Sequence, residues 1–278
     1  MDENKSLLHQ EKWRIIDQSN PSPQFHALQS FAIDDTLCQS VGSGSSPAVA
    51  RTWVHLRTAV LGIQDTKLPA LQEGLELLEE NNVDWIVRNS GGLAVLLDEG
   101  VLNISLIFPD TEKGIDINRG YDTMWELVRL MFKDLDCEIE AREIVGSYCP
   151  GSYDLSIDGR KFAGISQRRI RKGVAVQVYL CVNGSGEKRA ELVRKFYERA
   201  RFSESQRVIF PEVRPEVMAS LSELLGVELT IQDVMLRFLK VLKSVSSEIY
   251  TSQLQGKELD LYPAHYERMV ERNKRVFA

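Results

Sequence analysis

The chain has 278 residues, room for one large domain or two small ones, and a hydrophobic content of 43% supports a substantial core. With 34 basic against 40 acidic residues the net charge is −6, which argues against nucleic acid or an anionic membrane as a general partner and makes any basic surface a local one. Four cysteines with no CxxC pair and only four histidines give metal catalysis little to use; no apolar stretch has signal-peptide or membrane-span length, so a cytoplasmic protein with reduced thiols is expected.

Residues 1 to 12 are polar and read as loose. Helical spacing of Phe25, Leu28, Phe31, Ala32 and Leu37 predicts a helix over Gln24 to Leu37. The run Val41-Gly42-Ser43-Gly44-Ser45-Ser46-Pro47 suits a flexible loop and not a phosphate cradle, because no Gly-Lys-Ser/Thr follows. Thr52 to Gln64 alternates as strands do, and Leu68 to Asn81 is amphipathic with a helical period. Three strands are expected between Asp84 and Phe108, the last two forming a hairpin around Asp98-Glu99-Gly100. Ile117 to Leu135 follows as a long helix. Asp154 to Ile157, the Asp158-Gly159 turn and Lys161 to Arg168 form a second hairpin, extended by Val174 to Cys181. Helices then dominate: Glu187 to Arg201, Pro215 to Leu225, Thr230 to Tyr250 with a Thr-x-x-Asp start, and Pro263 to Val276. The order predicts one α+β unit over residues 1–278, a mixed and largely antiparallel sheet flanked by helices.

Cys149 sits in the turn-rich run Gly146-Ser147-Tyr148-Cys149-Pro150-Gly151-Ser152-Tyr153-Asp154, and Lys161 follows twelve residues later. A thiol attacks as thiolate, a nearby ammonium favours that form, and an open loop admits a substrate. Most free cysteines are small buried hydrophobes, and position type alone favours that reading. The Pro and Gly flanks argue the other way, since Cys38, Cys137 and Cys181 each lie in or beside apolar or helical stretches.

The paired glycines of Arg88-Asn89-Ser90-Gly91-Gly92 either let backbone N–H groups approach a ligand or make a plain tight turn. Arg88 is either an anion anchor or a solvated strand end. Arg160, Lys161, Arg168, Arg169, Arg171 and Lys172 either steer an acidic partner to the thiol or form a solvated hairpin rim. His55 is a general base only if the fold brings it to Cys149; a lone strand histidine is more often structural.

Together, Arg88-Asn89-Ser90-Gly91-Gly92-Leu93-Ala94-Val95, Gly100-Val101-Leu102-Asn103 and Gly159-Arg160-Lys161-Phe162-Ala163-Gly164-Ile165-Ser166-Gln167-Arg168-Arg169 resemble the signature blocks of the biotin/lipoate protein ligase superfamily, over about residues 41–250. Residues 251–278 then form a C-terminal helical extension. Within the superfamily the likeness is to the amidotransferases of lipoyl assembly, whose nucleophile loop resembles Ser147 to Asp154. The resemblance implies a mixed α+β sheet domain and no cofactor beyond an octanoyl or lipoyl substrate. It implies Cys149 as the acyl-thioester nucleophile, Lys161 as the ammonium that activates it and orients the acyl carbonyl, and Arg88, Ser90, Gly91, Gly92 and Gly164 along the acyl site. The implied partners are the glycine cleavage H protein as donor and lipoyl domains of E2 subunits as acceptors. ATP-dependent lipoate ligases of the superfamily carry a third glycine and a His-Asp ending, where this chain has Leu93 and Leu97-Asp98. The competing readings are transfer from acyl carrier protein, an ATP-dependent ligase, and a noncatalytic lipoyl-domain binder.

Overall fold

Strand pairing, rather than helix packing, sets the geometry of this chain. The computed structural model describes residues 6–110, 114–201 and 211–277. In chain order its elements are β1 (Lys12–Gln18), α1 (Ala27–Gly42), β2 (Val49–Trp53), β3 (Thr58–Leu61), α2 (Leu71–Glu80), β4 (Asp84–Val87), β5 (Val95–Leu97), β6 (Val101–Pro109), α3 (Ile117–Met131), β7 (Glu140–Ala141), β8 (Asp154–Ile157), β9 (Arg160–Ile170), β10 (Gly173–Cys181), α4 (Gly186–Arg199), α5 (Leu221–Leu225), α6 (Ile231–Ser244), β11 (Glu248–Thr251) and α7 (Lys257–Lys274). A large sheet runs β11-β1-β2-β6-β10-β9-β8-β7 and a small one β4-β3-β5. The β11–β1, β1–β2 and β3–β4 pairs are parallel and the others antiparallel, so the expected mixed, largely antiparallel α+β architecture is present.

Side chains alternate across a sheet with period two, and β10 is buried throughout and β6 in all but its last residue, so each strand feeds two interiors. Even-numbered Leu102, Ile104, Leu106, Phe108, Val174, Val176, Val178 and Leu180 pack with Met124, Leu127, Val128 and Met131 of α3 and Phe238 of α6. Each fully buried side chain of this kind stabilises by about 1.5–3 kcal/mol. The odd-numbered residues face α1 and the small sheet, and the cleft opens on that side. The Asp158-Gly159 turn has φ of 50° and 73° at its two central residues, the hairpin geometry that the dipeptide predicts.

Several expectations need correction. β1 starts at Lys12, where the stretch read as polar ends, and occupies a segment to which the sequence reading gives no element; residues 1–5 lie outside the described residues. The buried Arg14 hides the strand's alternation: its guanidinium forks onto Glu258 of α7 at 2.6 and 2.7 Å, so a residue that looks solvated is interior. β5 and β6 are not a hairpin, because β5 pairs with β3 while β6 joins β2 and β10. The helix from Thr230 ends at Ser244, and Glu248–Thr251 pairs with β1 instead. Its Thr230-Asp233 capping box is formed as read. Pro215 to Leu225 splits into a single 3-10 turn and α5, and α7 starts at Lys257 with Pro263 inside it. The Gly/Ser run after α1 is pinned, with Ser46 Oγ accepting from Arg14 at 3.0 Å.

Candidate active site

The register of the large sheet puts Trp53, Asn103, Tyr179, Gly164 and Asp154 in one transverse row across five strands. All five line a cleft of about 250 Å³. Phe31, Val60, Val95 and Leu97 add apolar walls, and Arg88, Gly91, Gly92 and Cys149 line it from the opposite loops. At this size it suits one short chain with a few oriented polar groups.

Cys149 is half-buried and adopts φ 46°, a left-handed backbone that a non-glycine residue enters only when its surroundings hold it there. Its Sγ accepts from the Leu93 N–H at 3.1 Å and from Arg88 Nη2 at 3.4 Å. Both donors favour negative charge on sulfur. The other cysteines differ: Cys38 and Cys181 are buried, and burial pushes both thiols up.

Lys161 is fully buried and does not hydrogen-bond the sulfur. Its ammonium reaches Asp154 Oδ1 at 2.8 Å and donates to the carbonyls of Tyr148 and Cys149, both at 2.9 Å, with Ser147 Oγ at 3.3 Å. An ammonium has three protons, and these partners take them all. Lys161 thus clamps the backbone of the Cys149 loop. Asp154 completes the clamp by accepting from the Ile144 N–H at 3.1 Å and Ser147 Oγ at 3.2 Å; burial pushes its carboxyl up, against the pull of Lys161.

The loop bearing Leu93 is held equally firmly. Arg88 Nη2 donates to the Leu93 carbonyl at 2.7 Å. The Ala94 N–H donates to Tyr197 Oη at 3.1 Å, that hydroxyl donates to Asp65 at 2.8 Å, and Asp65 accepts from the Gly62 N–H at 2.7 Å. Gly92 has φ +104°, and a Cβ there would lie 2.3 Å from Arg88 Nη2 and 2.9 Å from the Cys149 sulfur. No larger residue fits between the guanidinium and the thiol.

Of the residues singled out from sequence, Cys149, Arg88, Gly91, Gly92 and Gly164 meet in the cleft, while Lys161 and Ser90 stand behind it. Gly164 is the close-approach position of β9, where a Cβ would lie 2.8 Å from the Tyr179 ring. His55 is elsewhere engaged, with Ser30 Oγ and the Phe25 carbonyl both at 2.9 Å. In the basic run, Arg160, Lys161, Arg168 and Arg169 pair with Glu187, Asp154, Asp35 and Asp110, leaving Arg171 and Lys172 at an exposed hairpin turn. Sequence reasoning missed the Leu93 N–H, the Asp154 clamp, Tyr179 and the Asp65–Tyr197 link. Only the alternation of β10 hinted at any of them, by putting Gln177 and Tyr179 on one face.

Among the described residues no group of three His, Cys, Asp or Glu side chains is placed to hold a metal, and no helix is long and apolar enough to cross a membrane.

Residues 26–243 match the family model for the lipoyl protein ligase A/B catalytic domain. A Bacillus velezensis protein named octanoyl-[GcvH]:protein N-octanoyltransferase is 60% identical over 273 residues, covering 98% of this chain and 95% of its own length. A Listeria monocytogenes protein named lipoyl-[GcvH]:protein N-lipoyltransferase is 49% identical, covering 99% of each chain. Among solved structures, the bi-partite lipoate protein ligase of Thermoplasma acidophilum superposes with TM-score 0.69 at 18% identity over 97% of this chain and 98% of its own. Lipoate-protein ligase A bound with ATP does so with TM-score 0.70 at 17% identity over 93% and 95%. At those identities the structures speak for the fold.

Proposed function

The chain belongs to the lipoyl protein ligase A/B catalytic domain family, and from that premise we propose a cysteine-relay mechanism for its chemistry. It is an octanoyl transferase of lipoate biosynthesis that takes its acyl group from octanoylated GcvH, the glycine cleavage H protein. The acceptors in this reading are lysines of the lipoyl domains of E2 subunits, and the enzyme works in the cytoplasm.

Cys149 carries the reaction. Its thiolate attacks the carbonyl of the octanoyl-lysine amide, a C–S bond forms, and the C–N bond breaks. The donor lysine leaves as an amine, taking up the proton that the thiol gave up. An acceptor lysine then attacks the thioester, a new C–N bond forms, the C–S bond breaks, and the acceptor's proton returns to sulfur. One lysine amide replaces another, so the exchange is near balance and needs no nucleotide to drive it.

The supporting observation is the sulfur itself, turned into a mostly apolar cleft by a left-handed residue and met there by the Leu93 N–H and Arg88. These donors ease departure of the thiolate in the second step as well as its formation in the first. Arg88, Gly91, Gly92 and Gly164 border the acyl group, Ser90 sits buried in the same loop, and Lys161 holds the nucleophile turn. Seven or so carbons at ~0.8 kcal/mol each set an upper bound of about 6 kcal/mol on the chain's contribution before ordering costs.

Incubating the protein with octanoylated GcvH without ATP gives, in this mechanism, an adduct of about 126 Da that hydroxylamine removes. Cys149→Ala forms no adduct and loses transfer. Full transfer by that variant would sink the relay.

A further inference from the structure

Tyr179 carries a hydroxyl that the fold leaves without a partner. Its Oη is buried and makes no hydrogen bond, a costly state that proteins rarely keep without a use. The ring is held on two sides. It stacks on Tyr148, the residue before the nucleophile, with centroids 6.0 Å apart, and it lies against Gly164, where a Cβ would come within 2.8 Å of it. Tyr148, its stacking partner, does have a contact for its hydroxyl, Cys181 Sγ at 3.8 Å. The unmet donor therefore belongs to the member of the pair that lines the Cys149 cleft.

The chemistry has a matching vacancy. Both acyl transfers pass through a tetrahedral carbon whose oxygen becomes an anion, and donors aimed at that oxygen are worth more than any other single effect. The Leu93 N–H and Arg88 Nη2 are directed at sulfur, and the three Lys161 protons are taken by Asp154 and two backbone carbonyls. Ser90 Oγ, also buried without a partner, lies outside the cleft lining, and Arg88 Nε, unpartnered too, belongs to a guanidinium whose Nη2 is engaged by the sulfur and the Leu93 carbonyl. We propose that the Tyr179 hydroxyl donates to the acyl carbonyl oxygen in the cleft and stabilises the oxyanion of both steps.

Burial and nearby negative groups raise the phenol well above its ordinary range, so it stays protonated as a donor does and is no proton source. As the C–S bond forms, the carbonyl π electrons move to oxygen and the Tyr179 O–H hydrogen-bonds to it. When the oxygen reforms its double bond the C–N bond breaks, and the tyrosine keeps its proton throughout. The contact forms on loading, since catalytic hydrogen bonds commonly tighten only in the substrate complex.

This inference rests on the Cys149 relay, and the two separate experimentally. With octanoylated GcvH as donor, Tyr179→Phe in the full chain slows thioester formation about 100-fold through kcat, with KM within about twofold. Iodoacetamide alkylates Cys149 at the wild-type rate, and the melting temperature does not fall, because the removed hydroxyl bonds nothing. A wild-type rate of thioester formation in Tyr179→Phe overturns the assignment while leaving the relay intact, provided Cys149→Ala is inactive. Slower transfer with an equal loss of alkylation rate or a lower melting temperature also overturns it, by making Tyr179 a packing residue.

Discussion

On β6 and β10 the residues Leu102, Ile104, Leu106, Val176, Val178 and Leu180 form a dry aliphatic face, while Asn103, Ser105, Gln177 and Tyr179 alternate with them on the other. The second face is buried too but, the Tyr179 hydroxyl apart, is built on hydrogen bonds. Asp34 of α1 accepts from Arg51 Nη1 at 2.8 Å, Ser105 Oγ at 2.7 Å and Gln177 Nε2 at 2.6 Å. Apolar packing tolerates rearrangement, whereas a satisfied polar layer has one good arrangement. The cleft stands at the end of that layer, where α1 ceases to cover the sheet and the row passes from Ser105 and Gln177 to Asn103 and Tyr179. One face supplies stability and the other orientation.

The largest effect that tests this division comes from Arg51→Met. Asp34 then loses its countercharge inside the fold, at a cost of about 3–5 kcal/mol. Urea unfolding measures it, and alkylation of Cys149 reports whether the cleft is disturbed as well. A loss under about 1 kcal/mol would mean that the polar layer is not what holds this face.

Leu106→Ala on the aliphatic face is the counterpart, with an expected loss of about 3–4 kcal/mol from transfer and cavity terms. Here the folded fraction should keep the wild-type rate of Cys149 alkylation, because no atom of Leu106 belongs to the cleft. If that rate drops as far as in Arg51→Met, the two faces do not have separate roles.

How much of this was legible in sequence depends on how local each feature is. The Asp158-Gly159 hairpin, the Thr230-Asp233 cap and the Cys149 turn are written in adjacent residues, and each is where the pattern puts it. β1 and β11 were hidden because their partners are remote: Arg14 is satisfied by Glu258, and Ile249 continues a helical period although its backbone pairs with Trp13. The Asp98-Glu99-Gly100 signal is a real turn, but a turn does not choose the strand that β5 will meet. At the site, residue type singled out Cys149 but not the contacts that its neighbour Lys161 makes. A lysine twelve residues from a cysteine reads as an activating charge, and only the fold shows its protons committed to Asp154 and two carbonyls. The donors on sulfur include a backbone N–H, which no residue type announces.

The smallest of the expected effects concerns pH and again separates the faces. Arg51 Nη2 donates to Ser30 Oγ at 3.0 Å, so that hydroxyl donates to His55 Nε2 and the ring is neutral with its proton on Nδ1, facing the Phe25 carbonyl. Burial, reinforced by Arg51, lowers His55 to about 4 from its ordinary 6.5. Between those values the unfolded chain binds the more protons, so this histidine's contribution is complete above about pH 6.5 and declines as pH falls toward 4. The gap corresponds to about 3 kcal/mol at most. His265 is lowered too and adds a slope of its own, so the comparison must be with His55→Gln under identical conditions. Wild type should lose more stability than the variant between pH 7 and 4, whereas Leu106→Ala should lose as much as wild type from its lower starting point. Parallel curves for wild type and His55→Gln would show that the ring already accepts a proton in the fold, and the hydrogen-bond pattern assigned to Ser30 and Arg51 would have to be reversed.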